Sequence, residues 1–109
     1  MQHTGVYHLQ GYVAKPGQAL RITHDVAEAL GLHLVKSMSH IFPRTTNSTP
    51  GITVASIFEE SHAALSTYPE TSDVYLVVSC CSRRMQPSEE AIDNVFRRYH
   101  LKLVEEQWI

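Results

Sequence analysis

Apolar and polar residues alternate from residue 5 to residue 14. Val6, His8, Gln10 and Tyr12 oppose Tyr7, Leu9, Gly11 and Val13. A period of two predicts a strand there, ended by the breaker Lys15-Pro16-Gly17. The period then changes. Over residues 18–30, Ala19, Ile22, Val26, Ala29 and Leu30 fall on one stripe. That spacing predicts a helix, with Gly31 as its stop. Residues 32–42 read as a second strand. Its mixed content (His33, Lys36, Ser37, Ser39, His40) suits a sheet with one face partly wet or lining a site. Residues 43–50, rich in Thr, Ser and Asn, read as a turn-forming loop. Residues 52–58, 62–67 and 74–81 read as the third, fourth and fifth strands.

Gln86-Pro87-Ser88 opens a second helix, with Ser88 as its expected N-cap. Glu89 and Glu90 lie at the positive end of its dipole, and Arg97, Arg98 and His100 near the negative end. Ile92, Val95, Phe96 and Tyr99 make its apolar stripe. Residues 101–108 read as the last strand. The order β-α-β-β-β-β-α-β predicts an α+β two-layer sandwich, a mostly antiparallel sheet with both helices on one face. No repeat or linker divides the chain, so residues 1–109 read as a single domain.

Composition narrows the function. Of 109 residues, 43% are hydrophobic and 18% charged, enough apolar content for a core. A chain this short gains from dimerisation. The net charge of -2 argues against a nucleic-acid or acidic-membrane surface, which calls for a basic stripe. No apolar run reaches the roughly 20 residues of a membrane span, and the first residues carry no basic-then-apolar signal. A cytoplasmic protein with its two cysteines reduced is the expectation. Asn47-Ser48-Thr49 matches a glycosylation sequon and reads as polar loop in that setting. The seven histidines include no i, i+4 pair of the zinc type, and Cys80-Cys81 are too close together for a zinc pair. No metal site and no phosphate loop are expected.

Candidate chemistry concentrates between the third and fifth strands, in Glu59-Glu60-Ser61-His62-Ala63-Ala64-Leu65-Ser66-Thr67-Tyr68-Pro69-Glu70. On composition alone this is a polar hairpin corner. Its order resembles the self-cleavage segment of bacterial and archaeal S-adenosylmethionine decarboxylases, in which a Glu-Ser-His precedes a Thr-aromatic-Pro-Glu at fixed spacing. Three further pieces agree in order. His40-Ile41-Phe42-Pro43 with Gly51-Ile52-Thr53 resembles the family's His-x-Phe-x-Pro-x-Gly-Val-Thr run, with extra residues between Pro43 and Gly51. Gly5-x-x-His8-Leu9 is similar to its Gly-x-His-Leu, and Cys81 stands at its cysteine spacing after the Pro-Glu. The resemblance covers roughly residues 5–82.

The resemblance implies the same two-layer architecture, a homodimer, and a cofactor made from the chain itself. Ser61 would attack the Glu60 carbonyl and turn the amide into an ester. Elimination and hydrolysis would leave residues 1–60 and a second chain that begins with a pyruvoyl group. A serine is needed because the leaving oxygen must sit on its own Cβ. The pyruvoyl ketone condenses with a substrate amine to a Schiff base and accepts electrons as carbon dioxide departs, much as pyridoxal phosphate does. Cys81 would return a proton to the substrate; a thiol pKa of about 8.5 is tunable to that work. Counting with a one-residue gap selects Cys80 instead. Strand alternation points the two cysteines to opposite faces, so one of them is expected in the core. Glu70 would bind the ribose hydroxyls as a bidentate acceptor, and Phe42 would stack on the adenine near the sulfonium.

The chain departs from the family pattern around this pocket. Ser66 stands where the family has the histidine that removes a proton during processing, and a hydroxyl is a poor base near neutral pH. His62 or His40 could substitute. Thr53 fills the place of a processing Ser or Thr. Tyr68 replaces a Trp, Thr71-Ser72-Asp73 replaces a Gly-Tyr, Val77 replaces an Asp and Ser82 replaces a Gly. Three readings follow. The first is an S-adenosylmethionine decarboxylase that supplies the aminopropyl donor for spermidine biosynthesis. The second is a relative acting on a basic amino acid such as arginine or ornithine. The third is an unprocessed, non-catalytic homologue that binds a ligand or a partner subunit.

Overall fold

The computed structural model describes residues 3–42, 50–81 and 89–109. Six strands and two helices follow the expected order: β1 (His3–Gln10), α1 (Pro16–Ala29), β2 (Leu34–Phe42), β3 (Gly51–Phe58), β4 (Ser61–Tyr68), β5 (Asp73–Cys80), α2 (Glu89–Arg98) and β6 (Lys102–Trp108). The strands form one sheet in the order β2-β3-β4-β5-β1-β6, and every neighbouring pair is antiparallel. The α+β sandwich expected from the pattern is the observed fold.

Alternation along each strand builds two unlike faces. Tyr7 and Leu9 of β1, Val54 and Phe58 of β3, Ala63 and Leu65 of β4, and Val74, Leu76 and Val78 of β5 are buried beneath the helices. From α1 come Ala19, Ile22 and Val26, and from α2 come Ile92, Val95 and Phe96. Helix α1 lies over β2, β3 and β4, and α2 lies against α1 and β6. Polar links tie the layers together. Tyr99 donates to the Asp25 carboxylate of α1, and the Trp108 indole N–H donates to the Tyr7 hydroxyl at 3.1 Å. His24 of α1 meets Ser37 of β2 at 3.0 Å, and Ser37 meets Ser56 of β3 at 3.1 Å.

Several expected boundaries move. β1 ends at Gln10 rather than at residue 14, although Tyr12 and Val13 keep the alternation. A Cβ on Gly11 would lie 2.6 Å from the Leu101 side chain, so the chain leaves the sheet at a close approach to the start of β6. Pro16, read as a breaker, begins α1, where a missing N–H costs nothing. Gly31 takes the left-handed conformation (φ 73°) expected at the helix stop. β2 starts at Leu34, and almost all of it is exposed, because it is an edge strand that α1 only partly covers. The 43–49 loop and the Ser88 cap lie outside the described residues. Among the described residues no helix is long and apolar enough to cross a membrane.

Candidate functional site

The hairpin joining β3 to β4 is closed by two residues, Glu59 and Glu60, with Phe58 facing Ser61 across it. Glu60 is left-handed (φ 61°), a conformation that costs a non-glycine residue on the order of 1 kcal/mol or more. The Glu59 N–H is anchored by the His33 carbonyl at 3.0 Å. The strained residue therefore immediately precedes Ser61, which opens β4 half-buried. The cross-strand partner of Ser61 on β5 is Cys80, at a Cα spacing of about 5 Å. Cys80 is wholly buried, and burial, followed by the neighbouring Cys81, pushes its thiol above the ordinary value. Cys81 follows β5 and is exposed. Register thus brings Glu60, Ser61 and Cys81 to one end of the sheet. Of the two cysteines, the one in the core is Cys80.

A second cluster occupies the other end of the sheet, on its uncovered face. Thr53 of β3 and Ser66 of β4 are cross-strand partners, their hydroxyls 3.1 Å apart. His40 of β2 faces Thr53 from the opposite side. Phe42 ends β2, half exposed and edge-on to the His40 ring at 4.8 Å. Ser66 faces Tyr75 of β5, and Tyr75 stacks on His8 of β1 with ring centroids 4.6 Å apart. The Nε2 atom of His8 meets the Asp73 carboxylate at 2.7 Å. That contact, with Thr71 second, holds Asp73 below the usual carboxylate range. Tyr68 meets Tyr75 edge-on at 5.7 Å, and Glu70 lies exposed in the turn that follows.

The two clusters are well separated within one chain. Ser66 is five residues beyond Ser61 on β4, about 16 Å at the usual rise per residue. Ser61 falls in the alternation with buried Ala63 and Leu65, so it and Ser66 also lie on opposite faces. Thr53 and Ser66 meet, but neither reaches Ser61 in the same copy. Phe42 and Glu70 sit beyond them, further from Ser61. His62, beside Ser61, is exposed with Ile57 and Ser79 as its cross-strand partners. Between the clusters runs an apolar band, Met38-Ala55-Ala64-Val77-Val6, one residue from each of five adjacent strands.

The His8–Asp73–Tyr75 group escaped the sequence reading, which saw His8 in a motif and Asp73 as a departure from one. No local signal joins them, since residues 8 and 75 meet only through the pairing of β1 with β5.

The fold and the site define a class: a helix-backed antiparallel sheet with a serine at a strained hairpin junction, an exposed cysteine beside it, and polar side chains on the uncovered face. The chain belongs to the S-adenosylmethionine decarboxylase family, whose sequence profile matches residues 7–106. That family consists of pyruvoyl-dependent carboxy-lyases. No curated protein matches the chain.

Proposed function

We propose that the protein is a cytoplasmic decarboxylase that cuts itself between Glu60 and Ser61 and forms decarboxylated S-adenosylmethionine for spermidine synthesis. The observation that carries this reading is Ser61 next to left-handed Glu60, with Cys81 one residue beyond the cross-strand partner of Ser61. A serine directly after a left-handed turn residue fits a pyruvoyl precursor, because its hydroxyl can attack the carbonyl that precedes it. The pyruvoyl group would supply an electron sink for the bond to the departing carboxylate. The Ser61 hydroxyl attacks the Glu60 carbonyl carbon as the amide C–N bond breaks. The new ester oxygen then leaves from Cβ, and water releases the nitrogen as ammonia. Cys81, exposed at the strand end, donates a proton to the substrate after carbon dioxide has gone. Glu70 accepts hydrogen bonds from the ribose hydroxyls, and the half-exposed Phe42 ring stacks on the base.

These roles require two copies. About 16 Å of β4 separates Ser61 from Thr53 and Ser66, and further sheet separates it from Phe42 and Glu70. A homodimer with its two-fold axis over the apolar band, near Ala64 and Val77, sets the Ser61 end of one copy against the Ser66 end of the other. It also covers Met38 and Val77, which one copy leaves in water. Such an interface is isologous and yields two composite sites. A base for the Ser61 proton then comes from His62 of the same copy, or from His40 beside the partner's Thr53–Ser66 pair.

One observation favours a second reading. The Ser66 hydroxyl is engaged with Thr53, and no imidazole stands at that position. An unprocessed binding homologue would have this arrangement. The family's fold also admits arginine or ornithine as substrate, and that relative would not need Glu70 for a ribose. The intact mass of the purified, denatured protein discriminates. Self-processing gives two chains split at Ser61, the second blocked at its amino terminus. A single uncut chain, persisting in a Ser66→His variant as well, sinks the enzymatic reading. If the chain is cut, competition between S-adenosylmethionine, arginine and ornithine assigns the substrate.

A further inference from the structure

The two edges of the sheet are defended unequally. β6 carries Lys102, Glu105 and Glu106, charges that guard against edge pairing, and each edge strand holds one bulge. β2, the other edge, has one lysine in nine residues and no proline. Val35 is 63% exposed, Met38 69% and Ile41 48%. Among the described residues no strand pairs with its outer side, so a run of backbone N–H and C=O groups faces outward.

The sequence of this edge reads almost the same from either end. Leu34-Val35-Lys36-Ser37-Met38-Ser39-His40-Ile41-Phe42 is two apolar residues, a basic or imidazole side chain, Ser, Met, Ser, a basic or imidazole side chain and two apolar residues. Antiparallel pairing of a strand with its own copy about a two-fold axis sets residue i against residue 76 − i when the axis passes through residue 38. Met38 then meets Met38 of the second copy. Ser37 meets Ser39, hydroxyl to hydroxyl, Lys36 meets His40, whose ring can accept from the ammonium, and Val35 meets Ile41. No other centre in the strand sets like against like at so many positions. The bulge between Leu34 and Lys36 confines the regular ladder to residues 36–40, with Val35 and Ile41 closing its ends. Five such residues are an ordinary strand length.

We infer that β2 is a self-pairing edge, joining two copies through an antiparallel β2–β2 ladder centred on Met38 into one continuous twelve-stranded sheet. Directly opposed residues share a face, so both uncovered faces lie on the same side and stay accessible. This contact is therefore compatible with the face-to-face packing proposed above, although both involve Met38 and His40. If both form, their two-fold axes build a four-copy assembly.

Cysteine cross-linking tests the register. In a full-length Cys81→Ser background, which removes the exposed thiol, Met38→Cys and Lys36→Cys are made separately. Circular dichroism checks that each folds. Edge pairing places the two residues 38 about 5 Å apart at Cα, inside disulfide range. It places the two residues 36 about 13 Å apart, at four residues of rise. Face-packed sheets stand about 10 Å apart, too far for either bond. Mild oxidation is expected to convert most Met38→Cys protein into a covalent dimer on a non-reducing gel, at a rate at least about tenfold above that of Lys36→Cys. Equal cross-linking of both variants means random collision, and no Met38→Cys dimer means no pairing at this register. Either result overturns the inference.

Discussion

The two ends of the sheet work by different physics. The Ser61 end is built on the backbone: a two-residue turn, a left-handed Glu60, and a serine locked into register with Cys80. The Ser66 end is built on side chains: a hydroxyl pair, stacked and edge-on rings, and a His8–Asp73 contact at 2.7 Å. One end holds the bond that the proposed self-processing would break, and the other holds hydroxyls, rings and a histidine–carboxylate contact. A single copy keeps them about 16 Å apart. Chemistry that needs both ends needs two molecules, and the apolar band between them is where two molecules would touch.

The comparison breaks most severely if its scaffold does. Phe96 is wholly buried and packs its ring against Tyr7 at 5.5 Å in the core beneath the sheet. Phe96→Ala is expected to cost about 3–5 kcal/mol of stability, read from urea unfolding. It would remove cleavage only by unfolding the chain. Ala64→Glu acts on the band instead. Two carboxylates facing each other across the proposed axis should weaken the face-to-face association by at least about a hundredfold, since like charges in an interface cost several kcal/mol. The unfolding midpoint measured on the separated copies should barely move. Sedimentation equilibrium reads the association, and loss of cleavage should accompany it.

The smallest expected effects separate the two faces by pH. Tyr7, on the covered face, has its phenol pushed well above the ordinary value, by burial first and then by the nearby Glu106. Burial, then the bond to Asp25, raises Tyr99 as well. A raised pKa keeps the folded state protonated while the unfolded chain ionises. This stability is therefore complete below about pH 10 and is lost as pH climbs beyond it. Asp73, on the open face, is shifted downward. Its contribution is present above the unfolded carboxylate value of about 3.9 and fades as pH falls through the lower folded value. Thermal melts across pH should show Tyr7→Phe flattening the alkaline limb and Asp73→Asn flattening the acid one. If Asp73→Asn leaves the acid limb unchanged, the His8 contact contributes nothing to stability.

Local pattern carried most of the fold into the sequence. The alternations through Tyr7 and Leu9, through β3 and through β5, and the stripe Ile22-Val26 with Ile92-Val95-Phe96, are each set by neighbours within a few residues. Where reading failed, the cause was a distant contact. Nothing near Gly11 reports that Leu101 crosses it, so the alternation predicts a strand four residues longer than β1. The site divides the same way. Glu60, Ser61 and Cys81 were legible as candidates because they sit in spaced motifs. That Ser61 faces Cys80, that Thr53 bonds Ser66, and that the two pairs lie at opposite ends are all consequences of register, which long-range pairing fixes. The exposure of β2 likewise follows from its place in the strand order, which its own residues do not specify.

The most direct test of the two-copy site is complementation between cut-incompetent variants. Ser61→Ala has no hydroxyl to attack Glu60 but keeps Thr53 and Ser66. A Thr53→Val, Ser66→Ala variant keeps Ser61 but loses the pair. Each is purified alone and weighed, and the two are then unfolded together, refolded and weighed again. The expected result is that neither is cut alone, while in the mixture the chain retaining Ser61 is cut and the Ser61→Ala chain stays whole. If the double variant cuts itself at the wild-type rate, or if mixing restores nothing while the mixed dimer demonstrably forms, the site is not shared between copies.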